Sequence, residues 1–232
     1  MFKSFPLLPA LSLLLLLLPA RAWAQDESDW IDYRDAYRQM IWFEKYGKPK
    51  QFLQNHFRIR PRDRTVAMEG LRLTLNSKSM HLALPLDALG RAVLPLSKAA
   101  YDDRAELTVN RKASQFTSGA WASIVTRPDG VYAAADLRTA CEQLLAYLRY
   151  SGEAGGKNCV GVQFAYAKGD AAQPQFQPAA GAPTSLQGKE GPAFPGDAMA
   201  SFRIFAYRFA AFPEGGQVVT GSMPLAIAAL LE

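Results

Sequence analysis

The chain has little thiol or imidazole chemistry to offer. Its 232 residues include two histidines and two cysteines. No HxH, HExxH or CxxC spacing occurs, and a catalytic zinc site draws on three protein ligands. No metal is therefore expected, the one geometric alternative being a mixed site of His56, His81 and a carboxylate. A GxSxG nucleophile elbow is also missing. "GQVVTGS", residues 216–222, has the glycines of a phosphate loop without the lysine that would reach the phosphates, so no cofactor is expected. Charge of one sign is scarce as well: 26 Lys and Arg stand against 21 Asp and Glu, a net +5. That balance gives no reason to expect nucleic acid as a partner.

One long apolar run exists, Leu11–Leu18, and its position gives it meaning. Lys3 precedes it and Ala22-Trp23-Ala24 follows, the pattern of a secretory leader cut before Gln25. The alternative is an uncleaved anchor helix, but Pro6, Pro9 and Pro19 interrupt the segment and the run is shorter than the roughly 20 residues a bilayer requires. Cleavage would remove Lys3 and Arg21 and lower the net charge to +3. The expected product is a periplasmic or secreted protein with no membrane span after cleavage.

An exported chain with an even cysteine count suggests a disulfide. In "DLRTACEQLLAYLRYSG", Leu137, Cys141, Leu144, Leu145 and Leu148 recur at helical spacing, with Asp136 as the expected N-cap and Gly152 past the end. A glycine-rich turn leads to "CVGVQFAYA", which alternates as a strand. If the helix folds back on that strand, Cys141 and Cys159 meet; two separate thiols are the alternative.

The first helix is expected within "SDWIDYRDAYRQMIWFEKYGK", where Trp30, Tyr33, Tyr37, Met40 and Ile41 form one stripe, read as core rather than as a carbohydrate or partner surface. Beyond Pro49 the period changes from 3.6 to 2. "FLQNHFRIR" alternates apolar and polar residues, and Arg58, Arg60, Arg62 and Arg64 share one parity. They make either a solvated strand face, the reading preferred here, or a basic stripe for an anionic envelope partner. "GLRLTLNSKSMHLALPL" reads as a hairpin, Asp87–Gly90 as a tight turn and "SKAAYDDR" as one helical turn. Ala105, Leu107 and Val109 mark another strand. "GAWASIVT" and "VY" flank the turn "RPDG".

Together these give an α+β fold: an antiparallel β-sheet or small β-sandwich with an N-terminal helix and one further helix packed on it. The expected organisation is a signal peptide over 1–24, an α+β domain over 25–168, a flexible loop over 169–197 and a C-terminal β-hairpin over 198–232 completing the main sheet. The loop assignment rests on five prolines and five glycines in 29 residues.

Residues 82–112, "LALPLDALGRAVLPLSKAAYDDRAELTVNRK", carry Leu84-Pro85, Asp87 with Gly90-Arg91, Leu94-Pro95-Leu96 and Asn110-Arg111. This order resembles a pattern in uncharacterised exported proteins of Gram-negative bacteria. The resemblance implies an envelope protein with a small β-rich fold and brings no catalytic residue.

Three functions remain in view. The first is a non-enzymatic protein binding an envelope protein, a polymer or an apolar ligand. Asp87, Gly90, Arg91, Arg58, Arg60 and Trp121 are its candidate binding or turn residues, and Trp42, Phe43 and Phe202–Phe212 supply apolar surface. The second is a hydrolase using Asp87, Asp102 and Asp103. The third is an inhibitor presenting the turn Asp87–Arg91 or Arg127–Gly130.

Overall fold

The structure is a computed structural model, and it describes residues 30–197, 202–212 and 214–232. The expected leader lies outside the described residues. Among the described residues, no helix is long and apolar enough to cross a membrane.

The fold is α+β, with helices packed on antiparallel sheets. In chain order the elements are β1 (Trp30–Asp32), α1 (Tyr33–Lys45), β2 (Leu53–Pro61), β3 (Leu73–Asn76), β4 (His81–Leu84), β5 (Arg91–Ala92), α2 (Lys98–Asp102), β6 (Glu106–Val109) and β7 (Phe116–Ile124). There follow β8 (Val131–Ala133), α3 (Ala134–Tyr150), β9 (Cys159–Ala167), β10 (Gln175–Gln177), β11 (Thr184–Ser185), β12 (Gly188–Gly191), β13 (Phe202–Arg208), β14 (Gln217–Val219) and β15 (Ala226–Leu231).

Helix α1 starts later than its aromatic stripe suggests. Trp30–Asp32 pair with β6 instead of joining the helix, and Asp32 becomes the N-cap, its Oδ1 accepting from the Arg34 N–H at 2.8 Å. Asp35 in the first turn and Lys45 in the last complement the helix dipole. The buried stripe is Tyr33, Ala36, Met40 and Phe43. Phe43 joins the core under the later helix, while Tyr33, Ala36 and Met40 share a core cluster with Phe57 and Ile59 of β2 and with Leu73, Leu75, Leu84 and Leu107 of a four-stranded sheet ordered β1-β6-β3-β4. The hairpin β3–β4 has the expected register, Leu73 opposite Leu84 and Asn76 opposite His81, closed by Ser77 N–H to the Met80 carbonyl at 2.7 Å.

The main sheet has seven strands in the order β12-β13-β9-β15-β7-β2-β5. Helix α3 covers one face, burying Leu137, Cys141 and Leu144 with Val162, Phe164 and Ile227. It begins two residues before Asp136, because the Gly216 carbonyl accepts the Ala134 N–H at 3.0 Å and a tertiary contact supplies what a capping side chain would. Cys141 and Cys159 are joined as a disulfide, their Cα atoms 6.1 Å apart. A third sheet, β11-β10-β14-β8, extends the same core through Phe176 and Val218.

Two expectations are corrected. The segment 169–197 is not a structureless loop: it contributes β10, β11 and β12 to two sheets. Its few large apolar residues, Phe176, Leu186 and Phe194, are each buried by the main body, so the segment is ordered by a core it does not make. Nor is 198–232 a hairpin. Strands β13 and β15 lie on opposite sides of β9 and pair with it, not with each other, while β14 joins the third sheet. Strand β9 is buried from Gly161 to Tyr166 and takes the interior position that such a two-sided strand requires. Strands β7 and β8 likewise flank the turn at 127–130 without pairing to each other.

Candidate functional site

The second face of the main sheet, opposite α3, decides the candidate site. Strand parity sends His56, Arg58 and Arg60 of β2, Trp121 of β7 and Gln163 of β9 to this face. Across it runs the connection that leaves β12. Gln163 Nε2 donates to the carbonyls of Pro192 and Ala193 at 2.8 and 3.2 Å. Phe194 meets Trp121 edge to face at 5.2 Å. Asp197 receives both guanidinium nitrogens of Arg58, at 3.2 and 2.5 Å. Pro192–Asp197 thus passes over β9, β7 and β2 in turn. We call this segment the strap.

The strap overturns the reading of the arginine row as a solvated face. Arg58 is 1% exposed. Beyond Asp197 it donates from Nε to the Leu89 carbonyl at 3.0 Å, and its guanidinium lies 4.6 Å from the Trp121 ring and 4.5 Å from that of Phe194. Burial lowers its pKa more than the Asp197 carboxylate raises it. Arg60 is half in solvent, stacked on Trp121 at 4.8 Å, whereas Arg62 and Arg64 lie past the sheet and are exposed.

Asp87, Gly90 and Arg91 come together as a structural turn. Asp87 Oδ1 accepts from the backbone N–H groups of Leu89 and Arg91, both at 2.9 Å, and its Oδ2 accepts from Arg91 Nε at 2.7 Å. Gly90 sits at φ +74°, and its carbonyl accepts the Ile59 N–H at 2.8 Å. Arg91 then reaches the Leu225 carbonyl at 2.6 Å. The motif therefore staples β5 to β2 and to the start of β15. His56 lies beside it, its pKa lowered first by burial and then by the Arg91 charge; His81 is in the other sheet, and the two do not form a pair. Among the described residues, no group of three His, Cys, Asp or Glu side chains could hold a metal ion.

The other candidate carboxylates, Asp102 and Asp103, are also committed. Asp102 binds Lys98 one turn away, at 2.5 and 2.6 Å, and Asp103 accepts from Ser79 Oγ at 3.3 Å. At the turn 127–130, Asp129 is held at a pKa of about 2 by the Arg127 guanidinium and by the Val131 N–H.

What the face does contain is a cavity of about 620 Å³, within the range of ligand pockets. It lies where β7 and β15 part. These strands share one register pair, Ile227 with Ile124, and beyond it Ala120 and Ala122 on one side confront Ala229 and Leu231 on the other across open space. Leu144, Tyr147 and Leu148 of α3 close it from the helix face, and Trp121 and Phe194 from the strap face. Burial pushes the Tyr147 hydroxyl up to about 12. Trp42, 51% exposed and 5.5 Å from the Tyr150 ring, stands at the mouth.

Trp121 and Trp42 were visible in the sequence as apolar candidates, while Phe43 proves to be core. Tyr147 and Leu148 looked like ordinary helix-face residues, and Phe194 sits in a segment with no periodic signal. Nothing local marks them as neighbours. No family model matches the chain, and no curated protein or solved structure matches it.

Proposed function

We propose that the chain is an exported, periplasmic or secreted, non-enzymatic protein that binds an envelope partner or ligand, and that the cavity between β7 and β15 is its binding site. The observation that carries this reading is the cavity itself, walled by aromatic and small apolar side chains at a break in an otherwise continuous sheet. The sequence of the leader and the Cys141–Cys159 bond support export, since disulfides persist in oxidising compartments. Carboxylate hydrolysis finds less support: Asp87, Asp102 and Asp103 are spent on turn, ion-pair and hydroxyl contacts rather than facing one another across a cleft. The turn at 127–130 is exposed but carries its own internal ion pair, which leaves little for an inhibited enzyme to engage.

The test is capture from a periplasmic extract by the wild-type protein and by Ala122→Phe, which fills the cavity from the β7 side. A partner retained by the wild type and lost by a folded Ala122→Phe agrees with the reading. Equal retention by both, or retention by neither, removes the cavity from the function.

A further inference from the structure

We infer that the occupant of this cavity is an extended peptide segment of a partner protein, inserted as an additional strand between β7 and β15. The inference rests on the binding reading above and names its ligand class. It follows from which backbone groups border the gap. The Ala120 N–H points away from β2 and is taken by Gln39 Oε1 of α1 at 3.3 Å. In an antiparallel pair the direction of the backbone groups alternates residue by residue, so Ala122 also presents its N–H and C=O to the gap. On β15, Ile227 faces Ile124, which places Ala229 and Leu231 on the same edge. Glu232 confirms the parity, exchanging both backbone bonds with Asn158 on the opposite side at 2.6 and 3.0 Å.

Two strand edges therefore look at each other with no partner strand between them. The cavity also passes through the plane of the sheet, touching Leu144 and Leu148 on one face and Trp121 and Phe194 on the other. A compact apolar molecule would leave the peptide groups of Ala122, Ala229 and Leu231 unmatched, Gln39 serving only the Ala120 N–H. A strand matches both edges and sends alternate side chains to the two faces. Alanines at 120, 122, 228 and 229 leave room for those side chains. The edge from Ile227 to Leu231 is about 13 Å long, enough for four or five extended residues. Because β7 and β15 run antiparallel, the guest is parallel to one and antiparallel to the other. Glu153 and Lys157 stand exposed at the mouth, and neither is in an ion pair among the described residues. They suit a guest whose apolar run of four or five residues is followed by charged ones.

The experiment pans a phage library of random octapeptides against the full chain and against Ala229→Phe, with dodecanoic acid as a non-peptide probe followed by tryptophan fluorescence. The expected result is enrichment, on the wild type alone, of peptides with alternating apolar residues. Their affinity should fall at least tenfold when every second amide is N-methylated, and amide exchange at Ala122, Ala229 and Leu231 should slow at least tenfold on binding. The N-methyl comparison uses only the wild-type protein, so it stands even if the variant folds poorly. Peptides that bind equally well after N-methylation at either parity, or no enrichment at all, overturn the strand insertion. Saturable dodecanoic acid binding without peptide enrichment does so while leaving the binding reading intact, and silence from both probes removes the two together.

Discussion

Replacing Asp197 by asparagine should be among the most damaging single changes available at the surface-facing side of this fold. The Arg58 side chain is 1% exposed and that of Asp197 6%. A guanidinium cannot shed its charge at any ordinary pH, so the substitution leaves a buried cation facing an amide. Removing one partner of a buried pair costs about 3–5 kcal/mol. The two aromatic rings beside Arg58 return only part of it, about 1–2 kcal/mol when desolvated, and they are already present in the wild type. For a chain of this length each kcal/mol moves Tm by about 2–4 °C, so a loss on the order of 10 °C is expected. Because burial dominates the Arg58 pKa, the pair itself is a poor source of net stability, and Arg58→Met with Asp197→Leu should lose only about 1 kcal/mol or gain. Urea titrations of the wild type, both singles and the double supply the cycle. Strap amides at Ala193 and Phe194 should exchange faster in Asp197→Asn. An Asp197→Asn loss below about 1 kcal/mol, or singles that simply add in the double, would refute the account of the strap as pinned by this pair.

Three further outcomes follow from other sites. His56 has its pKa below 6.5, through burial and then Arg91. The folded state favours neutral imidazole, and the stability it contributes is complete above pH 6.5 and lost as pH falls through the folded value. His56→Gln should flatten the slope of unfolding free energy against pH just below 6.5, and an unchanged slope would count against that assignment. Changing Cys141 and Cys159 together to alanine should cost about 3 kcal/mol, from a sequence separation of 18; chemical denaturation under oxidising conditions measures it, and a loss under 1 kcal/mol would contradict it. Gly90→Ala should cost about 2–3 kcal/mol, because φ is +74° and a Cβ would press on the Ile59 carbonyl. A neutral melting curve would show that the turn at Asp87 can relax.

Legibility varied with the range of the interaction. The β3–β4 hairpin was readable because Leu73, Leu75 and Leu84 alternate around a short polar turn, and pairing that close in sequence is fixed by the pattern itself. Asp87–Gly90 was readable for the same reason, the bonds from Asp87 that close it lying within four residues. The disulfide joins a helix to the strand that follows it, so spacing and apolar face sufficed. The helix boundaries were less accurate where a distant group supplied the cap, as the Gly216 carbonyl does for Ala134. The segment 169–197 was misread because composition measures what a stretch can bury alone, and here the main body does the burying.

The sequence by itself determined the class of the fold, the local hairpin and turns, the cysteine pairing and the absence of familiar catalytic spacings, since each is a matter of periodicity or near neighbours. Only the tertiary structure decided that Arg58 is interior and that β7 and β15 leave a gap. Alternation along β2 states which residues share a face, but not that Asp197, 139 residues away, will cover it. A gap between two strands belongs to neither strand's sequence; it exists because both diverge from a single shared pair.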